Sequence, residues 1–301
     1  MQSPASTAAR LGLGTVQFGL DYGVSNARGR VPPSDVVKVL HTAAAAGISV
    51  LDTAGLYGDS EIVLGECIAP NAGFRIVTKT PPVPDAVVTR ADVNEFRTMF
   101  ARSLERLKRK SIYGLLVHHG RDLLKPGADA LIDVLRELKE AGLVERIGVS
   151  IYTGAEIDGI LKRFTPDIIQ LPINIVDQRL LASGHLAHLD TLGVEVHARS
   201  LFLQGLLLTD PGTLPAYFAP YADVLQDIAD RARTHEFTPL EACLSFGLAR
   251  PEIDVLLVGV THSRELDDIL AAMPRAAARP FDTSVFSLSD EKLVDPSQWR
   301  I

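Results

Sequence analysis

Four titratable side chains follow three consecutive apolar stretches of the chain, and their types suit the reduction of a carbonyl group. Asp52 follows the apolar run 48–51, and Tyr57 stands five positions later. Lys79 and His118 come at the ends of the next two runs. An oxygen that gains negative charge during a reduction needs a proton donor and hydrogen bonds aimed at it.

The four side chains could divide this work among themselves. A phenol has an ordinary pKa of ~10, which is too high for easy proton transfer at neutral pH. We therefore expect the Lys79 ammonium to lie beside Tyr57 and to lower its pKa, while Asp52 balances the ammonium charge. His118 would orient the carbonyl or share the proton. Each residue alone has a simpler explanation as a helix cap or a packing residue, but their grouping indicates a functional site.

The elements that carry these residues alternate between strands and helices. Apolar runs predict eight strands, at residues 11–19 (a strand that leads into a tight loop), 48–51, 74–79, 112–117, 146–150, 167–171, 194–198 and 255–258. Helical stretches follow them, at residues 32–47, 60–69, 91–109, 128–141, 155–163, 185–192, 224–233 with 240–248, and 263–272.

Such alternation predicts a parallel sheet that is buried on both faces. Eight strand–helix units predict an α/β fold, a closed (β/α)8 TIM barrel that forms a single domain over residues 1–301. A doubly wound open sheet is the alternative, but Gly12, Gly14 and Gly19 do not form the GxGxxG motif that it would use to bind phosphate. In a barrel, the residues that bind and react lie at the carboxyl ends of the strands.

Composition restricts the partners and the location. The net charge of -7 offers no basic surface to a nucleic acid. Cys67 and Cys243 lie far apart and outside any metal-ligand spacing, which favours a reducing compartment and argues against a zinc site. No signal-peptide pattern and no run of ~18 apolar residues occurs. We expect a soluble, cytoplasmic protein that binds no metal and does not bind membranes; its oligomeric state is left open.

Several short motifs make the chain resemble an aldo-keto reductase over nearly its whole length. These are Gly14-Thr15, Leu51-Asp52-Thr53-Ala54 with Tyr57-Gly58, Ser60-Glu61 leading to Leu64-Gly65, Val77-Thr78-Lys79, Leu116-Val117-His118, Gly148-Val149-Ser150 and Asp177-Gln178-Arg179. The opening segment 14–23 resembles a bacterial branch of that family whose substrates are largely unassigned, some being thought to act on sugars.

The resemblance implies NAD(P)H-dependent reduction of an aldehyde or ketone, with Tyr57 as the general acid. Asp52, Lys79 and His118 would complete the catalytic set, with His119 as the competitor for the last place. NADPH is the favoured cofactor, because the family generally uses it, and NADH is the alternative. The phosphates of the cofactor would lie at the ends of the last two strands. The cofactor-binding residues implied are Gly14, Thr15, Asp52, Ser150, Gln170, Arg199, Ser200, Leu201, Gln204, Gly205, Gly259, Thr261, Ser263, Arg264 and Asp268.

The chain departs from the family pattern at three places. Ile151 replaces an Asn that helps to hold the nicotinamide amide, so one hydrogen bond is lost or supplied elsewhere. Arg199 replaces an aromatic residue that stacks on the nicotinamide, although a planar guanidinium can also stack. Glu265 stands where a phosphate-binding Arg or Gln often sits and would repel a phosphate, with Arg264 and His262 as the compensating groups.

The predicted substrate is a small carbonyl compound. We expect the mouth to be lined by Gln17, Phe18, Tyr22, His119 and Tyr152. This lining mixes polar and aromatic groups, which suits a sugar-like or small polar molecule.

Two other functions remain open from the sequence. The first is a nucleotide-binding accessory or regulatory subunit on the same scaffold, which the altered nicotinamide contacts would permit. The second is a Schiff-base enzyme with Lys79 as the nucleophile, which would require a desolvated lysine without an adjacent acid.

Overall fold

The eight predicted strands form one closed parallel barrel in chain order. The structure, a computed structural model, describes residues 7–24, 26–69 and 72–299. The strands are β1 (Leu11–Gly14), β2 (Val50–Asp52), β3 (Arg75–Lys79), β4 (Ile112–Val117), β5 (Val144–Ser150), β6 (Ile168–Pro172), β7 (Glu195–Arg199) and β8 (Val255–Gly259). β1 pairs with β2 on one side and with β8 on the other. This closure confirms the barrel and excludes the open doubly wound sheet.

Helices surround the barrel. The longer ones are Pro33–Ala45, Ser60–Cys67, Arg90–Leu107, Asp129–Glu140, Gly154–Leu161, His185–Thr191, Ala222–Thr234, Pro239–Leu248 and Ser263–Ala278. Thr89 and Thr238 begin two of these helices with capping boxes. Each threonine side chain accepts a hydrogen bond from the backbone N–H three residues later, and the acidic side chain at that later position accepts one from the backbone N–H of the threonine. None of the helices within the described residues is long and apolar enough to cross a membrane.

Two apolar layers hold the strands in register. Inside the barrel, Val50, Val77, Leu116 and Leu257 belong to one buried cluster. Gly12 makes room for it, since a Cβ there would lie 2.7 Å from Val255 and 2.8 Å from Leu257. The larger cluster lies between strands and helices, and each fully buried aliphatic or Phe side chain contributes about 1.5–3 kcal/mol. The strand ends are therefore rigid supports for the side chains that project from them.

The first strand is shorter than predicted, and this corrects one predicted site residue. β1 ends at Gly14, and Val16–Gly19 forms a single helical turn. This turn directs Phe18 into the core, where the side chain is fully buried, so the prediction that Phe18 lines the mouth is wrong. Burying the aromatic ring in the core is more favourable than exposing it at the mouth, although neighbouring residues of the same segment do line the mouth.

The segment that ends at Trp299 packs over the barrel. The backbone of Leu288 donates to the carbonyl of Val176, and Gln178 Nε2 donates to the carbonyl of Thr283 at 2.8 Å. The Trp299 ring meets Phe218 edge to face at 4.9 Å. The tail thereby forms part of the wall of the cavity described next.

Candidate active site

A cavity of about 630 Å³ opens at the carboxyl ends of the strands. Most of the predicted site residues border it: Gly14, Thr15, Gln17, Tyr22, Asp52, Tyr57, His118, His119, Ser150, Tyr152, Gln170, Arg199, Ser200, Leu201, Gln204, Gly205, Gly259, Thr261 and Asp268. Lys79 is fully buried behind Asp52, while Ser263 and Arg264 do not border the cavity. A volume in this range is ordinary for a site that binds a small molecule.

Lys79 and Asp52 form a buried ion pair beneath this cavity. Lys79 Nζ lies 2.7 Å from Asp52 Oδ1 and 2.8 Å from Oδ2, and it also donates to the carbonyl of Thr53 at 2.9 Å. These three bonds use all three ammonium hydrogens. Burial lowers the pKa of Lys79, and the adjacent Asp52 charge opposes that shift. A lysine paired this closely with an acid does not suit the Schiff-base alternative.

Gln170 connects the ion pair to the opposite side of the barrel. Its Nε2 donates to Asp52 Oδ1 at 2.7 Å, across 118 residues of sequence. The resemblance assigned Gln170 to the cofactor, and no sequence signal indicated this bond. Gln170 therefore helps to hold the carboxylate in the orientation that Lys79 requires.

A network of hydroxyl groups joins the ends of β1 and β2. Thr15 Oγ1 lies 2.9 Å from the carbonyl oxygen of Asp52 and 2.8 Å from Ser60 Oγ. Ser60 Oγ in turn donates to the carbonyl of Thr15, and Thr53 Oγ1 donates to Ser60. All of these side chains are buried, and their polar groups are satisfied within the protein. The network ties the strand that ends in Asp52 to its neighbour.

A second buried carboxylate lies behind β3. Glu61 is fully buried, and its Oε1 accepts from Thr78 Oγ1 at 2.7 Å. Its other oxygen lies 3.6 Å from Arg106 Nη1. Because Thr78 directly precedes Lys79, this contact helps to hold the end of β3.

Tyr57 is half-buried at the cavity wall, close to the ion pair. Its ring centre lies 4.9 Å from Lys79 Nζ. Burial raises the pKa of Tyr57, the Asp52 charge raises it further, and Arg199 opposes the shift. The pKa of Tyr57 is therefore raised and not lowered as expected, because burial of the phenol outweighs the effect of the neighbouring positive charges.

Two histidines follow β4. The His118 ring meets Tyr57 edge to face at 5.9 Å, while His119 is exposed and its ring lies 5.1 Å from His118. Burial lowers the pKa of His118 to about 2, with further contributions from the nearby charges of Lys79, His119 and Arg199. His118 is therefore a neutral imidazole. Its Nδ1 is buried and has no hydrogen-bond partner among the described residues.

Arg199, the last residue of β7, crosses the cavity wall to the loop after β5. Its guanidinium carbon lies 4.2 Å from the ring centre of Tyr152, and its Nη2 donates to the carbonyl of Ile151 at 3.2 Å. Ile151 itself is fully buried in the core and does not border the cavity. Ile151, one of the departures from the family pattern, therefore brings its backbone carbonyl and not its side chain near the site.

The loop after β7 has an unusual backbone. Ser200, Leu203 and Gln204 have φ values of 61°, 46° and 54°, in the left-handed region that non-glycine residues seldom adopt. Asn174, a buried residue that the sequence did not single out, donates to the carbonyl of Ser200 at 3.1 Å. Gln204 Nε2 donates to the hydroxyl of Tyr22 at 2.9 Å. The surrounding structure thus holds several strained residues at the cavity, as is common at binding sites.

The far end of the cavity lies beyond β8. Gly259, Thr261, Glu265 and Asp268 border it, the last two from the helix Ser263–Ala278. Glu265 Oε2 and Oε1 accept from the backbone nitrogen and the hydroxyl of Thr261, at 2.6 Å and 2.8 Å.

Several further residues border the cavity that sequence reasoning did not assign to it. These are Val16, Gly23, Asn26, Phe202, Leu208, Leu240, Leu257, Val258, Ile269, Pro296 and Ser297. Asn26 comes from the loop after β1, and Pro296 and Ser297 come from the C-terminal tail. Val16 and Gly23 lie within the segment 14–23 that carries part of the resemblance, and Phe202 directly follows the assigned Leu201; no spacing or motif marks the others.

Comparison with known proteins identifies the family. Residues 10–293 match the Aldo/keto reductase family. The chain belongs to the aldo/keto reductase family. Its relatives include the L-galactose dehydrogenase of Arabidopsis thaliana, which is 26% identical over 292 residues; the match covers 89% of this chain and 86% of that protein. The 6-dehydroglucose reductase of Novosphingobium aromaticivorans is 29% identical over 249 residues, covering 75% of this chain and 76% of that protein.

Solved structures of aldo-keto reductases share the fold. The holo form of an aldo-keto reductase from Bacillus halodurans superposes with a TM-score of 0.72 at 21% identity, covering 92% of this chain and 89% of that chain. At this identity the likeness concerns the barrel alone.

Aldo-keto reductases use a nicotinamide dinucleotide, and the centre of the cavity fits such a cofactor. The Ser150 hydroxyl has no hydrogen-bond partner among the described residues and borders the cavity. Gln17 Oε1, which belongs to another bordering residue, is buried and also lacks a partner in the described part of the chain. A buried polar atom such as Gln17 Oε1 is costly unless a ligand or water satisfies it.

Proposed function

We propose that this aldo-keto reductase reduces an aldehyde or ketone to an alcohol with a reduced nicotinamide dinucleotide, NADPH or NADH. One observation carries the proposal: Tyr57 borders the cavity between neutral His118 and the buried Lys79–Asp52 pair. A proton donor and a neutral hydrogen-bonding ring at the cavity, with a buried cation behind the donor, support this reaction.

The chain's own residues would manage the proton. The cofactor, when bound, supplies the hydride. Tyr57 is protonated at neutral pH, since a phenol has an ordinary pKa of ~10 and burial raises the pKa of Tyr57 further, so a proton is present when the substrate oxygen becomes negative. The phenolate that remains would be stabilised by the Lys79 and Arg199 charges, which lie close enough to act on it.

His118 would position the carbonyl oxygen. Because its Nδ1 is buried without a partner, we assign the ring hydrogen to Nε2, where it can be donated to a ligand. With a pKa of about 2, His118 is not a source of the transferred proton at neutral pH. This division of roles leaves Tyr57 as the acid.

We further propose a sugar-like or small polar carbonyl compound as the substrate. The polar residues at the mouth, Gln17, Tyr22, Tyr152 and Gln204, offer donors and acceptors to hydroxyl groups. Two relatives support this choice by their names, since L-galactose dehydrogenase and 6-dehydroglucose reductase both refer to sugars.

The test has two stages. First, the purified protein is titrated with NADH and with NADPH while the fluorescence of Trp299 is followed; Trp299 is the single tryptophan and lies beside the cavity residues Pro296 and Ser297. Second, sugar aldehydes and small polar aldehydes are screened for oxidation of the cofactor that binds. Binding without turnover of any carbonyl would favour the accessory-subunit alternative, and absence of binding would refute the reductase proposal.

A further inference from the structure

The cavity is bordered by one permanent positive charge. Arg199 is the single lysine or arginine that borders it among the described residues. The carboxylates that border it are Asp52, which is paired with Lys79, together with Glu265 and Asp268. Neither these acids nor any other acid in the described part of the chain forms an ion pair with Arg199. The guanidinium therefore lies at the cavity without a counter-ion from the protein.

The guanidinium of Arg199 is held in a fixed plane. Its carbon lies 4.2 Å from the ring centre of Tyr152, which packs against one face. Nη2 donates to the carbonyl of Ile151 at 3.2 Å, and Nη1 donates to the hydroxyl of Ser200 at 3.4 Å. A guanidinium has five N–H donors, and the remaining ones of Arg199 have no partner among the described residues. Its orientation is thus set in advance, while donors are left for a ligand.

The charge of Arg199 acts on the residues that carry the proposed chemistry. Burial raises the pKa of Tyr57 and lowers that of His118, and in both cases the Arg199 charge also lowers the pKa. Because the interaction between two charges weakens with distance, these effects indicate that Arg199 lies near both residues. A ligand group held by Arg199 would therefore lie on the same side of the cavity as the reacting carbonyl.

We propose that the substrate carries a carboxylate in addition to its carbonyl group, and that Arg199 binds this carboxylate. The inference rests on the proposed function and narrows its substrate class to acidic carbonyl compounds, such as 2-oxo acids and sugar acids. Arginine can bind a carboxylate through two parallel N–H bonds, which are roughly twice as strong as neutral hydrogen bonds. When the carboxylate is bound, Lys79 is left to stabilise the Tyr57 phenolate.

Two other anionic groups could use the same guanidinium. A phosphate monoester on the substrate carries nearly two negative charges at pH 7, and no second lysine or arginine borders the cavity within the described residues. A single carboxylate balances the single charge of Arg199 more closely. The cofactor's own phosphates are the other source, so cofactor binding has to be measured separately from substrate selectivity.

The first experiment compares matched pairs of aldehydes in steady-state kinetics. Glycolaldehyde with glyoxylate, and glucose with glucuronate, each differ by the replacement of a CH2OH group with a carboxylate; glucose 6-phosphate tests the phosphate. We expect kcat/KM of the wild type to favour the acid at least roughly tenfold in one of the two pairs, mainly through KM.

The matched variants separate the guanidinium from the overall charge of the protein. Since Arg199 also acts on Tyr57, the readout is the acid-to-neutral ratio of kcat/KM and not the absolute rate. Arg199→Gln should lower that ratio by roughly 10–100-fold, and Arg199→Lys, which keeps only the charge, should restore part of it. Arg90→Gln removes an exposed arginine away from the cavity and should leave the ratio unchanged.

A second experiment needs no turnover. Gluconate and sorbitol again differ by a carboxylate, and neither has an aldehyde to reduce. We expect gluconate to raise the Tm of the wild type above the value in sorbitol with sodium chloride at equal ionic strength, with or without NADH or NADPH. This difference should disappear in Arg199→Gln. The dissociation constants of both cofactors are measured for the same two proteins by fluorescence titration.

The outcomes separate this inference from the proposed function. Equal use of acids and neutral partners by the wild type, or a preference that persists in folded Arg199→Gln, would overturn the inference and leave the reductase intact. A tenfold loss of cofactor binding in Arg199→Gln with an unchanged ratio would assign the guanidinium to the cofactor and overturn it too. A stronger preference for glucose 6-phosphate than for glucuronate would overturn the choice of a carboxylate. If no carbonyl is reduced although gluconate binding depends on Arg199, the anion site stands and the reductase proposal fails.

Discussion

The ammonium nitrogen of Lys79 lies 4.9 Å from the ring centre of Tyr57, yet its three hydrogens are directed to Asp52 and Thr53. Lys79 therefore acts on Tyr57 through its field and not through a hydrogen bond. Burial raises the pKa of Tyr57 and the Asp52 charge raises it further, so the phenol keeps its proton in the free protein. The cation becomes effective when negative charge forms on the phenol oxygen during proton transfer.

Tyr57→Phe removes the proposed general acid and little else. We expect turnover to fall by roughly 10²–10⁴-fold, the usual contribution of a positioned acid, with the dissociation constant of the cofactor changed by less than about threefold. Steady-state kinetics and fluorescence titration measure the two quantities. Tyr221→Phe is the control, because its hydroxyl bonds to Asp290 on the protein surface. Unchanged turnover in Tyr57→Phe would exclude Tyr57 as the acid.

The Lys79–Asp52 pair predicts strong non-additivity in stability. Lys79→Met leaves a buried carboxylate, and Asp52→Asn leaves a buried ammonium, so each should lower the free energy of unfolding by about 3–5 kcal/mol. The double variant should lose clearly less than the sum, since neither charge remains unpaired. Urea denaturation of the four proteins gives the coupling energy. Additive losses would show that the two groups do not form the pair described.

The low pKa of His118 predicts a pH dependence of stability. The folded protein holds His118 neutral down to about pH 2, whereas the unfolded chain binds a proton near pH 6.5. In that window protonation favours the unfolded state, so this residue lowers the free energy of unfolding as pH falls, by up to about 1.4 kcal/mol per pH unit. His118→Gln should reduce the slope between pH 6 and 5 relative to the wild type, as followed by urea denaturation. The exposed neighbour variant His119→Gln is the control, and an equal slope in His118→Gln and wild type would contradict the prediction.

Gly19 supports the loop that carries Tyr57. A Cβ at this position would lie 1.9 Å from the carbonyl oxygen of Tyr57 and 2.4 Å from the backbone nitrogen of Ser60, so the backbone would have to move. We expect Gly19→Ala to cost about 1–3 kcal/mol of stability and to lower turnover through displacement of Tyr57.

The matched control for this substitution is Gly73→Ala. An added Cβ there meets none of the described atoms within 4 Å, so the change should alter stability by less than about 0.5 kcal/mol. Thermal unfolding and steady-state kinetics compare the two variants. Equal behaviour of both would mean that the close approach at Gly19 is not a constraint.

The sequence by itself determined the barrel and most of the residues at its mouth. The hydrophobic periods of strands and helices are local properties of the sequence, and the strand order follows from their strict alternation. The sequence alone therefore predicts that Asp52, Lys79 and His118 lie at neighbouring strand ends. The short motifs added the family, which the match over residues 10–293 shows.

The tertiary structure decided how those side chains are used. The bond from Gln170 to Asp52 joins residues 118 apart, and the donation of Thr261 to Glu265 depends on how a loop meets the following helix. The burial of Phe18 depends on a single helical turn after β1. Such contacts depend on the three-dimensional path of loops and on the competition of several partners for one polar atom, and no sequence period records either.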